Sequence, residues 1–294
     1  MTIRDHVQAA RARLAGAGIA DGEAALDAEL LARHVLGWSR AELVARELDP
    51  PPAPFGRAFE RVVARRQRRE PVAYIRGVQE FWGRDFAVSG AVLIPRPETE
   101  FVVERALALL GRGEAAGHSA PVGSPAPRVV DVGTGSGCLA VTIAIECPAA
   151  HVVATDVSAE ALEVARANAA RWGVGDRVTF LQAPYLGGVQ APVDLVVSNP
   201  PYVADGDAPS LPPEVVAHEP ALALFGGPDG LRDIREILRQ AAERLAPSGA
   251  LVMEIGYGQA DAVRRLVDLT GGLALERIDR DLQDIPRTAV VRRG

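Results

Sequence analysis

Asp194-Leu-Val-Val-Ser-Asn199-Pro200-Pro201-Tyr202 joins an apolar run to a side-chain amide, two prolines and a phenol. Leu195 to Val197 are β-prone and apolar on both faces, as in a central parallel strand covered by helices. Neither proline can donate to a sheet ladder, so pairing ends there. The two rings fix successive φ angles and hold Asn199 away from the helical region. A carboxamide on such a stiff corner suits chemistry at an amide or amine nitrogen. The lone pair of such a nitrogen is delocalised into a carbonyl or ring, so acceptors must hold its N–H groups while the lone pair turns towards an electrophile. The Asn199 side-chain oxygen and the Pro200 carbonyl are the candidate acceptors, and Tyr202 is the candidate stacking wall. An ordinary Pro-rich turn closing a strand is the plainer alternative.

A second chemistry-bearing stretch lies upstream. Arg128-Val-Val-Asp-Val-Gly-Thr-Gly-Ser-Gly137 reads as a buried strand, a glycine turn and the start of a helix from Cys138 to Glu146. Gly133, Gly135 and Gly137 let the backbone turn tightly and let a ligand approach without Cβ atoms in the way. The following helix N-terminus supplies free N–H groups. A further strand, His151 to Asp156, ends in an acid beside that turn, where Asp156 can accept both hydroxyls of a ribose or cap the helix Ser158 to Trp172. The Gly-x-Gly-x-Gly spacing favours an adenosyl ligand over a dinucleotide.

These stretches need an alternating β/α frame, and the chain supplies one. Val178 to Leu181 and Ala250 to Ile255 read as further strands. Asp229 is the expected cap of a helix with Leu231, Ile234, Leu238 and Leu245 on one face. Leu273 to Ile278 and Thr288 to Val291 read as antiparallel edge strands. The pattern is that of a doubly wound sheet. Before it, residues 1 to about 70 read as short helices: Asp21 as an N-cap ahead of Leu26, Leu30 and Leu31, Ser39 and Glu42 as a capping box, and a helix turning Phe55, Phe59, Val62 and Val63 inward. That helix also carries Arg57, Arg61, Arg65 and Arg68 as a basic stripe, a solvated face or a contact for an acidic partner. Val72 to Ile94 reads as a hairpin joining two domains, Ile94-Pro-Arg-Pro-Glu-Thr-Glu100 as a loop opening a helix, and Gly111 to Pro127 as a loose connection.

With 294 residues the chain is long enough for two domains, and its net charge of −6 argues against broad nucleic-acid binding. Cys138 and Cys147 have no ligand partners at metal spacing, and no apolar run is long enough to span a membrane. No metal, no disulfide and a cytoplasmic address are therefore expected.

Asn199-Pro-Pro-Tyr202 resembles the signature of S-adenosylmethionine-dependent methyltransferases that act on planar nitrogens. Together with Ile94-Pro-Arg-Pro-Glu-Thr-Glu100, Asp131-Val-Gly-Thr-Gly-Ser-Gly137 and Glu254-Ile-Gly256, it makes nearly the whole chain similar to the PrmC/HemK family of release-factor glutamine methyltransferases. That resemblance implies an α/β fold, a seven-stranded Rossmann-like methyltransferase domain (96–294) with a small helical-bundle domain for substrate recognition (1–72) joined by a β-hairpin (73–95). It also implies methyl transfer from S-adenosyl-L-methionine to the glutamine of the Gly-Gly-Gln loop of class 1 peptide chain release factors. A monomer without stable nucleic-acid binding is expected. By the same likeness Gly133, Thr134, Gly135, Ser136 and Gly137 hold the methionine portion and Asp156 the ribose. Pro184 and Tyr185 meet the adenine. Asn199, Pro200 and Pro201 face the substrate amide, Asn199 also borders the cofactor, and Tyr202 and Arg96 line the pocket. The sequence departs from the family at Ala183-Pro184-Tyr185, where an acid that would accept from the adenine amino group is missing. Two other transferases share the planar-nitrogen logic, an adenine methyltransferase of nucleic acid and a glutamine methyltransferase of a ribosomal protein. A third reading is a cofactor-binding protein without turnover.

Overall fold

A computed structural model describes residues 1–111 and 126–294. Most of the connection expected from Gly111 to Pro127 lies outside the described residues. In chain order the helices α1 (Ile3–Gly16), α2 (Asp21–Leu36), α3 (Arg40–Arg46), α4 (Phe55–Gln67) and α5 (Val72–Arg76) come first, then the hairpin β1 (Val78–Phe81) and β2 (Arg84–Ala87). After α6 (Glu100–Leu109) follow β3 (Arg128–Val132), α7 (Cys138–Glu146), β4 (His151–Asp156), α8 (Ala159–Arg171), β5 (Val178–Gln182) and β6 (Val193–Ser198). The short helices α9 (Pro213–His218) and α10 (Ala221–Leu224) precede α11 (Arg232–Arg244), β7 (Leu245–Glu254), α12 (Ala260–Leu269), β8 (Leu273–Arg280) and β9 (Pro286–Arg293).

The chain divides into two units, Met1–Val78 with Pro212–His218, and Gln79–Leu211 with Glu219–Gly294. In the first, Leu14, Ala28, Leu31, Phe55, Phe59 and Val63 form an apolar core without exposed surface beyond 1%. Phe55 and Phe59 stack at 5.0 Å between centroids, one turn apart on α4. Ser39 and Glu42 form the expected capping box. Two expectations fail here. Asp21 is the first residue of α2 rather than its cap, and its carboxylate pairs with Arg11. Leu26 is 55% exposed, because α2 turns Ala24, Ala28, Leu31 and Ala32 inward and the small side chains let the helices approach closely.

The second unit is built on a seven-stranded sheet of order β5-β4-β3-β6-β7-β9-β8. β5, β4, β3, β6 and β7 run parallel to one another, and β9 runs antiparallel between β7 and β8. The expected Rossmann-like fold is thus present, with one correction: only β8 is an edge strand on that side, while Ala289 to Val291 in β9 are fully buried. α7, apolar on every side, packs with Val129, Val152 and Leu195 on one face of the sheet, and α11 with Val130, Val196 and Leu251 on the other. In the hairpin, Trp82 and Gly83 both take positive φ, as a two-residue turn of matching twist requires. Val92 to Ile94, expected as part of that hairpin, form no strand. The Ile94 N–H donates instead to a carboxylate oxygen of Glu219 at 3.1 Å.

Candidate active site

Strand order reverses between β3 and β6, the place where open α/β sheets bind ligands beyond their strand ends. The register sets Val132 opposite Thr155 of β4 on one side and Ser198 of β6 on the other. The turn after β3 therefore lies between Asp156 and Asn199. Gly133 and Gly135 sit at φ 71° and 54°, and nothing stands within 4 Å of where a Cβ would be. The Gly133 and Thr134 N–H groups both donate to the Thr155 carbonyl at 2.9 Å, closing the turn on its neighbour strand. Gly137, at φ 80°, opens α7 against Ala165, whose Cβ a side chain at 137 would meet at 3.1 Å. Gly137 thus serves the packing of α7 on α8 and does not line the cavity.

That cavity is about 570 Å³ and is lined by Thr134, Ser136, Asp156, Pro184, Tyr185 and Asn199, with Gly133, Gly135, Pro200 and Pro201. One oxygen of Asp156 accepts from Gly135 N–H and the other from Ser158 N–H, both at 2.9 Å. Ser158, not Asp156, is the N-cap of α8. Each Asp156 oxygen keeps a second lone pair.

Asn199 is held by a chain of side-chain hydrogen bonds. Its Nδ2 donates to Thr99 Oγ1 at 3.0 Å, the Thr99 hydroxyl donates to Glu254 Oε2 at 2.6 Å, and Tyr202 Oη donates to Glu254 Oε1 at 3.1 Å. The other end of the amide, Oδ1, is buried and takes no hydrogen bond among the described residues. A buried acceptor left unmade costs about 1–3 kcal/mol. The Pro200 carbonyl also accepts nothing among the described residues. Burial raises the Glu254 carboxyl against the two hydroxyls that favour its charged form. Burial, then the Glu254 charge, pushes the Tyr202 phenol up.

Two expected pocket residues stand elsewhere. Tyr202 does not line the cavity, because its hydroxyl turns to Glu254 and its ring lies where a Cβ at Gly256 would meet it at 3.1 Å. Arg96 is likewise outside, drawn into an ion pair with Glu219, whose side chain is 1% exposed. Conversely, α11 brings an acid to Tyr185, although none stands at 183–185 itself. Asp233 lines the same cavity and accepts from Tyr185 Oη at 3.0 Å. Tyr185 takes φ 50°, and Thr155 holds its carbonyl at 2.6 Å. Burial and then Asp233 push its phenol up to about 12. Asp233 reads in sequence as an acid in a helix's first turn, so only the fold reveals it.

A mostly parallel sheet with a glycine turn, a strand-end acid and a proline-stiffened amide at the switch point belongs to the methyltransferase class. A profile described as "Methyltransferase small domain" matches residues 121–220, and one described as "PrmC N-terminal domain" matches residues 5–77. A release factor glutamine methyltransferase of Bradyrhizobium diazoefficiens is 42% identical over 92% of this chain and 89% of its own length. The Cereibacter sphaeroides protein of that name is 44% identical over 92% and 91%. Among solved structures, the hMettl16 catalytic domain in complex with MAT2A 3'UTR hairpin 1 superposes with a TM-score of 0.56 at 15% identity, over 79% of this chain and 80% of that one, a likeness of fold alone. The chain belongs to the release factor glutamine methyltransferase family.

Proposed function

We propose that the protein transfers a methyl group from S-adenosyl-L-methionine to the side-chain nitrogen of the glutamine in the Gly-Gly-Gln loop of class 1 peptide chain release factors. The observation that carries this reading is the half-buried Asn199, fixed through Nδ2 with Oδ1 lacking a donor, in the cavity that also holds the glycine turn and Asp156. The cofactor supplies an electrophilic methyl group on a sulfonium. Gly133, Thr134, Gly135 and Ser136 hold its methionine portion, Asp156 its ribose, and Pro184 and Tyr185 its adenine. Asn199 Oδ1 and the Pro200 carbonyl accept from the two N–H groups of the incoming amide and turn its lone pair to the methyl carbon.

Among the described residues no charged side chain hydrogen-bonds Asn199, and none is needed. Positive charge passes from sulfur to nitrogen, and the excess proton leaves to water. Alignment of this kind supplies about 7–11 kcal/mol in favourable cases, and each well-aimed polar contact about 3–4 kcal/mol more. The helical unit, residues 1–72, recognises the release factor, with the exposed Arg57 and Arg61 as contacts for its acidic surface. Residues 73–95 link it to the transferase, residues 96–294. The protein acts as a monomer in the cytoplasm.

The test incubates the chain with methyl-labelled cofactor and, separately, a release factor, the same factor with its loop glutamine replaced, a ribosomal protein fraction and DNA. Label on the factor alone, lost with the glutamine, is expected. Label on DNA or on the ribosomal fraction instead overturns the reading. Asn199→Ala should lower turnover about a hundredfold or more while cofactor binding, followed by calorimetry, is retained.

A further inference from the structure

Beyond the groups that would touch substrate, the buried chain Tyr202–Glu254–Thr99–Asn199 has a direction. A threonine hydroxyl has one proton. Thr99 gives it to Glu254 at 2.6 Å, so Thr99 Oγ1 can only accept from its other neighbour. The Asn199 amide must then present Nδ2 to Thr99, which it does at 3.0 Å, and its oxygen is forced to the opposite side. Glu254 Oε1 is occupied in turn by the Tyr202 hydroxyl. Thr99 is 2% exposed and Glu254 1%, so water does not compete for these bonds. The three anchors come from distant parts of the chain: the end of the Pro-Glu-Thr turn before α6, the last residue of β7, and the corner after β6.

We infer that Thr99 and Glu254 are positioning residues that decide which end of the Asn199 amide is offered as the acceptor. This rests on the acceptor role of Asn199 proposed above. Without the relay the two ends of an amide are nearly isosteric, and Asn199 can rotate to present N–H groups where an acceptor is wanted. A donor facing the donor groups of the substrate nitrogen repels them, and the lone pair is no longer directed. The fault appears in the chemical step, because the cofactor and the remote surface of the substrate still bind.

The test compares the wild-type chain with Thr99→Val, Thr99→Ser and Glu254→Gln. Valine keeps the shape of threonine and removes the hydroxyl. Glutamine keeps the shape of glutamate and offers a donor to Thr99 Oγ1, which frees the hydroxyl to turn towards Asn199 and reverse the chain. For Thr99→Val and Glu254→Gln, kcat should fall about 10- to 100-fold with KM for the release factor and Kd for the cofactor changed less than about threefold. Thr99→Ser should restore kcat to within about fivefold of wild type. Independently of any substrate, the Asn199 side-chain amide protons in a nitrogen–proton correlation spectrum, identified by their loss in Asn199→Asp, should shift and exchange faster in Thr99→Val but not in Thr99→Ser. An unchanged amide signal in Thr99→Val, or a Thr99→Ser variant as slow as Thr99→Val at an equal melting midpoint, overturns the inference. Failure of the wild-type chain to methylate a release factor would overturn the proposed function and leave the spectrum to decide the relay.

Discussion

Asp131, the penultimate residue of β3, has a fully buried carboxyl. Its Oδ2 accepts from the Thr134 hydroxyl at 2.6 Å and Ala140 N–H at 3.1 Å, while Oδ1 takes no bond among the described residues. Burial outweighs those two donors and pushes the acid up to about 7. An acid raised in the folded state binds its proton more tightly there than in the unfolded chain, which ionises near 4. Its contribution is thus fully present below about pH 4, drains away as pH rises, and is gone above about pH 7. Asn at 131 cannot ionise. The melting midpoint of Asp131→Asn relative to wild type should therefore rise from pH 5 to pH 8, and a difference that stays constant would refute the assignment. At this scale the sequence is informative where a residue breaks its own element. Two prolines after a strand, glycines after a strand, and an acid at a strand's end each announce Asn199, Gly133 and Asp156. Asp233 sits in the first turn of a helix, where an acid has ordinary explanations, and Glu254, the last residue of β7, carries the same strand-end mark as Asp156; their partners, Tyr185 and Thr99, come only with the fold.

The corner after β6 is held from outside by a second turn. The Gly226 N–H donates to the Val203 carbonyl at 2.9 Å, and Gln259 Nε2 donates to the Tyr202 carbonyl at 2.9 Å. A Cβ at Gly226 would overlap the Pro201 carbonyl oxygen, and one at Gly230, already at φ 69°, would overlap that of Tyr202. Backbone oxygens cannot swing aside as a long side chain would, so the loop or the turn must move. A shift of even 1 Å at a positioned group can cost about a hundredfold in rate. Gly230→Ala should therefore lower turnover by at least tenfold at low cost to cofactor affinity, and steady-state kinetics with calorimetry would show it; full activity would mean that the corner tolerates displacement. Alternating patterns revealed most of the frame, and α7 and β4 begin and end where the sequence places them. They did not reveal that β9 lies inside the sheet, because a strand covered on both sides and one at an edge differ by partners rather than by period.

Pro212–His218 returns to the first unit some 150 residues after α4, and no local pattern announces that return. Its anchor is Arg66, a residue outside the expected basic stripe. Arg66 is 5% exposed, and its guanidinium bonds Asp27 of α2 at 2.7 Å and Glu214 of α9 at 3.3 Å. Three charges are thereby tied across α2, α4 and α9 with little water to screen them. Removing one member of such a set leaves an uncompensated buried charge and costs about 3–5 kcal/mol, whereas replacing the pair by apolar groups of similar volume is close to neutral. Arg66→Met should accordingly lower the stability of the first unit by several kcal/mol, and adding Asp27→Leu should recover most of it. Glu214 is 19% exposed at its side chain and keeps some hydration, so its loss of the arginine is the smaller part. Denaturant unfolding of the full chain, followed by a probe on Trp38 in the first unit, checks both variants, since a two-unit chain need not unfold in one step. If Asp27→Leu fails to rescue Arg66→Met, the pair contributes specific structure that apolar packing cannot replace, and the charges hold α9 in place rather than merely cancelling one another.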